Sequence, residues 1–176
     1  MRHYTLLFLF TLLLASCGET KSDYTEFMGI SMGEPSTTFI QKLEANGFLD
    51  QGRDPGTNQQ CLLGSFAGKS PCIILVKEND WSKVEKVSVF FPVSDDSEAR
   101  ATYETLKGSL TEKYKSADIH TFDNDDLVST DFKLKNGGSI SLGIIDVAGE
   151  DGKRVLLTYE DSSENNNSHR RLRDEL

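Results

Sequence analysis

Few side chains in this sequence can do covalent chemistry, and their spacing limits what that chemistry is. Two cysteines, Cys61 and Cys72, lie in the middle of the chain. An even pair in an exported chain suggests a disulfide. The residues between them complicate it. If 61–67 and 72–77 form a hairpin turning near Gly68-Lys69-Ser70, Cys72 lies opposite roughly residue 66 and Cys61 near residue 77. The thiols are then about five residues apart along the strand at ~3.3 Å each, beyond the reach of a disulfide. A bond requires a bulge or a loop around Cys61; the alternative is two buried free thiols. His120 is the one histidine between the two ends of the chain, in a polar stretch where an imidazole is ordinarily solvated. No Ser–His–Asp order, HExxH motif, phosphate loop or paired-cysteine zinc spacing occurs. Asp123, Asp125 and Asp126 are the best cation candidate, because calcium takes several oxygens from one loop. That stretch has Val128 where an EF-hand needs glycine and Leu134 where it needs its bidentate glutamate. A solvated acidic loop is the simpler reading. The expectation is therefore no catalytic residue, no cofactor and no metal. Trp81, the single tryptophan, falls in an expected turn. It is either an interface anchor or a cover folded onto the sheet edge.

The third cysteine, Cys17, closes a different kind of motif. Arg2 precedes an apolar run from Leu6 to Leu14, interrupted only by Thr11. The run is too short to cross a bilayer, and its charged start and small following residues make a secretory signal over 1–16. Leu14-Ala15-Ser16-Cys17 resembles the lipobox of bacterial lipoproteins. The resemblance implies that the Cys17 sulfur receives a diacylglyceryl group and that cleavage falls before it. Residues 17–25 then read as a polar tether. Gly18 in second place resembles lipoproteins sorted to the outer membrane, and Lys21-Ser22-Asp23 resembles export tags of Bacteroides-type surface lipoproteins. The expected location is the outer membrane, lipid-anchored, with the periplasmic face and the cell surface both open. A rival address stands at the other end. Arg173-Asp174-Glu175-Leu176 resembles an endoplasmic-reticulum retention tail, and Asn166-Asn167-Ser168 is a glycosylation sequon.

Charge narrows the partners. The formal net charge is −9, and it becomes one unit more negative without Arg2. Acidic residues are spread along the chain, so neither nucleic acid nor anionic headgroups meet a basic patch. The basic cluster Arg170, Arg171 and Arg173 sits beside Asp174 and Glu175 and reads as solvated tail.

The elements around these residues follow from periodicity. Met28, Ile30 and Met32 alternate as a short strand. Phe39, Ile40 and Leu43 recur at helical spacing over 36–46, with Gly47 as the left-handed cap and Phe48 folding back. Residues 49–60 read as a polar loop. Strands are expected over 61–67, 72–77 and 84–91. Asp95 and Glu98 suit a capping box for a helix that carries Ala99, Tyr103, Leu106, Leu110 and Tyr114 down to Lys115. Gly108 inside it costs about 1 kcal/mol relative to alanine, so close packing against the sheet would account for it. Three more strands centre on Val128–Leu134, Ile140–Ile144 and Val155–Tyr159, with Asn136-Gly137-Gly138 as a hairpin turn. The expected architecture is α+β: an antiparallel sheet with two helices on one face, spanning 26–161. It reads as a tandem of helix-plus-three-strand units, about 36–92 and 95–160. Residues 162–176 carry no apolar period and read as a disordered tail.

With the lipobox and tether, Ile30-Ser31-Met32-Gly33 leading into a helix that ends Asn46-Gly47-Phe48 resembles small envelope lipoproteins. The tandem order resembles the beta-lactamase-inhibitor-protein-like fold, of which the SmpA/OmlA assembly lipoproteins carry one related unit. Leu110-Thr111-Glu112-Lys113-Tyr114 is similar to a stretch of many Bacteroides-type lipoproteins. None of this carries a catalytic residue over. The expected function is a non-enzymatic protein-binding or assembly module with an envelope protein as partner. The alternatives are an inhibitor of an extracellular hydrolase, and a small-ligand carrier or an enzyme whose polar residues converge only in three dimensions.

Overall fold

Val87, Val89 and Phe91 point to one face of their strand, and most of the apolar side chains gather there with them. A computed structural model describes residues 24–124, 127–146 and 152–161. The signal segment, Cys17 and the tether to Asp23, Asp125, Asp126 and residues 162–176 lie outside the described residues.

The chain opens with β1 (Glu26–Phe27) and β2 (Ile30–Ser31), then α1 (Ser36–Ala45). Four strands follow: β3 (Leu49–Arg53), β4 (Gln60–Phe66), β5 (Lys69–Glu78) and β6 (Val84–Phe91). Next come α2 (Asp96–Lys113) and four more: β7 (Asp118–Asp123), β8 (Val128–Lys133), β9 (Ser139–Asp146) and β10 (Lys153–Glu160). The eight strands after α1 form one sheet in the order β3-β4-β5-β6-β10-β9-β8-β7, and every pair is antiparallel. The fold is α+β. The expected unit of a helix plus three strands is corrected to a helix plus four. The strands missed, β3 and β7, are the two edges of the sheet. Every β3 residue is exposed, and so is all of β7 except Ile119. A strand wetted on both faces has no apolar alternation to read.

One pleat face carries Leu62, Cys72, Ile74, Val76, Val87, Val89, Phe91, Val155, Leu157, Tyr159, Ile140, Leu142 and Phe132, all buried. Phe39 and Leu43 of α1, and Ala99, Tyr103, Leu106 and Leu110 of α2, join the same cluster. Both helices therefore cover that one face. Phe27 stacks on Phe66 at 5.2 Å and meets Tyr159 edge-on at 5.3 Å, so β1 is part of this core. The expected alternation of Met28 fails. Met28 and Gly29 form the tight turn between β1 and β2, both at positive φ, and Met28 faces solvent. Thr25, assigned above to the tether, is buried. Its N–H donates to Asp161 Oδ2 at 2.8 Å, and its C=O accepts from Met32 N–H at 2.9 Å.

The helix ends behave as their residues dictate. Phe48 N–H donates to Leu43 O and Gly47 N–H to Glu44 O, the paired bonds of a Schellman stop, with Gly47 at φ +90°. Asp95 accepts from Glu98 N–H at 2.8 Å. Glu98 returns the contact to Ser94 N–H, one residue before the cap, also at 2.8 Å, and takes Lys69 Nζ at 2.7 Å. Gly108 does not pack on the sheet: it is exposed, and a Cβ added there meets nothing within 4 Å.

Candidate functional site

The second face of the sheet has no helix on it. Alternation puts the partners of the core residues there, and β4, β5, β6 and β10 each contribute at least one apolar side chain to it, among polar ones such as Ser88 and Thr158. Register aligns the apolar ones into one cross-strand row: Leu49, Leu63, Ile73, Phe90 and Leu156, on five adjacent strands. Cys61 and Leu75 form a second, shorter row beside it. Leu63, Ile73, Phe90, Leu156, Cys61 and Leu75 are half-buried, and Leu49 is 67% exposed. Toward β7 the same face turns polar, through Gly143 and Ser129 to Phe122, which is 50% exposed.

At one end the apolar row opens into a recess of about 390 Å³, with Leu63, Ile73 and Phe90 as floor and Pro71, Pro92 and Val93 around it. Lys153 and Arg154 stand on its rim. Thr25 and Asp161 lie at the other end of β10, about seven residues and ~23 Å away. Two ion pairs border that end, Lys77–Glu85 at 3.1 Å and Lys86–Glu160 at 2.6 Å.

The cysteines are both free. Cys61 pairs with Leu75, and Cys72 with Gly64. They are three positions out of register, closer than the five expected, and that odd offset puts them on opposite faces. Cys72 is in the core and Cys61 on the open face, so no disulfide forms between them. Burial raises the Cys72 thiol above its ordinary pKa. Burial, then the Asp54 and Asp50 carboxylates, raise Cys61. Both are protonated at neutral pH and are weak nucleophiles.

His120 is on the open face in the row Ser88–Thr158–Ser141–Asp131–His120. These are the residue types of a hydrolytic triad in the wrong order. Ser141 is two strands from His120, about 10 Å, and the carboxylate stands between them instead of behind the imidazole. His120 Nε2 instead meets Asp118 Oδ2 at 3.1 Å. Both Asp123 oxygens are taken by the Arg100 guanidinium, one at 2.9 Å, which holds the Asp123 carboxyl below its ordinary pKa. Asn124 Oδ1 is used by Leu127 N–H. Asp125 and Asp126 lie outside the described residues, and no metal-holding group of His, Cys, Asp and Glu occurs among the described ones. Trp81 is 63% exposed. It rides an Asn79-centred turn that donates Trp81 N–H and Lys83 N–H to Asn79 Oδ1. The turn belongs to the end of the sheet where the chain enters, since Ser82 O accepts from Ser36 N–H and Lys83 lies over the Tyr24 ring.

The residues that sequence reasoning missed are those of the apolar row. Their signal was present as doublets: Leu62-Leu63, Ile73-Ile74, Phe90-Phe91 and Leu156-Leu157. Adjacent apolar residues in a strand must point to opposite faces, so each doublet marks a strand that is apolar on both sides.

No protein family, curated protein or solved structure matches the chain.

Proposed function

We propose that this chain is a non-enzymatic, lipid-anchored envelope protein that binds another envelope protein through the open face of its sheet. The observation that carries the reading is the in-register apolar row on the face that no helix covers. A monomer normally keeps such contiguous apolar surface small. The whole open face, polar rows included, is eight strands at ~4.8 Å, each contributing a length of about five residues at ~3.3 Å, on the order of 600 Å². That is close to the ~800 Å² per partner of an ordinary specific interface. The apolar row runs from the β3 edge to β10, with the hydroxyls of Ser88 and Thr158 beside it and the ion pairs Lys77–Glu85 and Lys86–Glu160 beyond them. The lipobox supports the anchor. The two helix-plus-four-strand segments fit duplication of one unit.

Cys61 makes the test direct, because it is the thiol on this face while Cys72 is buried. A photo-crosslinker placed on Cys61 is expected to capture one protein from envelope extract, and Ile73→Glu with Leu156→Glu is expected to abolish capture without unfolding the chain. Unchanged capture by that variant sinks the reading. Cys17→Ser tests the anchor: the variant is expected to leave the membrane fraction. The recess favours a second reading, carriage of a small apolar ligand. A small molecule co-purifying with the chain and lost in Phe90→Ala would favour it over protein binding.

A further inference from the structure

We infer that the end of the sheet where the chain enters rests on the bilayer, with Trp81 inserted among the lipid headgroups. The inference goes beyond the open face and rests on the proposed anchor at Cys17. Register defines this end by the row Lys77–Lys86–Glu160–Ser139–Lys133–Asp118. Beyond that row lie the connections 54–59, 79–83, 114–117 and 134–138. Tyr24 joins them, because Lys83 Nζ lies 5.7 Å from its ring centre. Residues 17–23 link Cys17 to Tyr24. An extended chain spans at most ~3.6 Å per residue, so Tyr24 lies no further than ~25 Å from the Cys17 sulfur by any path. The anchor therefore delivers this end of the sheet to the membrane surface.

The side chains there suit the boundary between water and lipid. Trp81 is 63% exposed on a turn that Asn79 Oδ1 braces by accepting Trp81 N–H and Lys83 N–H, each at 3.0 Å. Tyr24 and Tyr114 are half-buried, and each has a lysine over its ring, Lys83 at 5.7 Å and Lys113 at 5.1 Å. Indole and phenol rings with one apolar and one wet end collect at membrane–water interfaces, and lysine lays its stem on apolar surface while its ammonium stays in water. Charge does not oppose the contact. The chain carries −9 in all, yet the four connections and Asp161 set Asp54, Asp80 and Asp161 against Lys83, Lys115 and Lys135. Glu34, close by, is held by Lys42 at 2.6 Å. This balance leaves no basic patch to draw the end to lipid unaided; the tether does so by raising its effective concentration at the surface. Phe122 and Leu127 are exposed too, but they flank the β7–β8 turn at the opposite end, and Leu49 belongs to the open face.

The experiment reconstitutes the full mature chain, as the cell processes it, in phosphatidylcholine vesicles whose acyl chains carry bromine either near the headgroup or at the far end. Trp81 is the single tryptophan, so the emission reports this position alone. It is expected to lie to the blue of a water-exposed indole, and to be quenched at least about twofold more by the shallow bromine than by the deep one. Trp81→Phe combined with Phe122→Trp moves the reporter to the opposite end of the sheet. Both positions are exposed, so the exchange spares the core, and its emission is expected to stay that of indole in water. Water-like emission from Trp81 on the vesicles, or equal quenching of both reporters, overturns the proposal while the anchor stands. Emission that shifts only when envelope proteins are added assigns Trp81 to a protein partner and overturns it too. A chain that does not partition into the vesicles overturns the anchor reading, and the proposal with it. Capture through Cys61 reads the open face and is independent of these outcomes.

Discussion

Tyr103 and Gly108 show how differently two residues of one helix serve it. The Tyr103 hydroxyl is buried against Thr130 Oγ1 at 2.7 Å, and Thr130 also meets Thr121 Oγ1 at 3.1 Å. This chain of hydroxyls ties α2 to β8 and to the β7 edge. Tyr103→Phe leaves Thr130 with one partner in a dry site, and is expected to cost about 1 kcal/mol in urea unfolding. Gly108 is the opposite case. It has no positive φ and no neighbour within reach of a Cβ, so Gly108→Ala is expected to stabilise by about 0.5–1 kcal/mol in the same assay. The sequence shows both residues plainly and their roles poorly. Periodicity places Tyr103 on the buried stripe, but cannot say that a threonine two strands further along the chain shares a hydrogen bond with it. A glycine in a helix argues for a tight contact only when something is there to touch.

At the scale of elements, the start of α2 is fastened to the sheet by Glu98, which takes Lys69 of β5 and the Ser94 N–H together. Those bonds, Lys69 first and Ser94 next, lower its pKa from 4.5 to about 2. A carboxylate depressed in the folded state contributes stability above its unfolded pKa and loses it as pH falls through the folded one. That contribution is therefore full above about 4.5 and disappears toward about 2. Glu98→Gln is expected to flatten the fall in thermal midpoint over that window, measured by circular dichroism, because the amide has no proton to gain. The capping pair Asp95 and Glu98 was legible from spacing alone. Lys69 was not, because it arrives from a hairpin whose register no local pattern specifies. The same division holds for strands. The six with a buried face announce themselves, while β3 and β7, wet on both sides, look like loop. Cys61 and Cys72 fall between these cases: spacing already argued against their bond, and the expected and the true register both set them an odd number of residues apart, on opposite faces, though only the latter gives the offset of three.

On the scale of the whole molecule, β6 and β10 form the seam between the two helix-bearing halves, paired from Val155–Phe91 to Glu160–Lys86. Val89 and Leu157 face each other across it, both buried. One core crosses the seam, so the halves are expected to unfold together. Leu157→Ala should cost about 2–5 kcal/mol and still give one coincident transition by far-ultraviolet dichroism and by tyrosine fluorescence. Two separated transitions would refute the shared core. The α+β class and the single-sided placement of helices were readable because alternation over many strands is redundant. The open apolar face was not read, because its doublets were taken one face at a time.

The bond from Thr25 N–H to Asp161 has a mechanical consequence. A pull transmitted through the first described residues enters the fold at β1 and, through this bond, at the end of β10, a central strand held on both flanks by β6 and β9. Drawn along its own axis, such a strand resists in shear, with its lateral bonds sharing the load, whereas an edge strand would peel away one bond at a time. On the proposed reading, tension between a lipidated Cys17 and a partner on the open face would reach β10 through this bond.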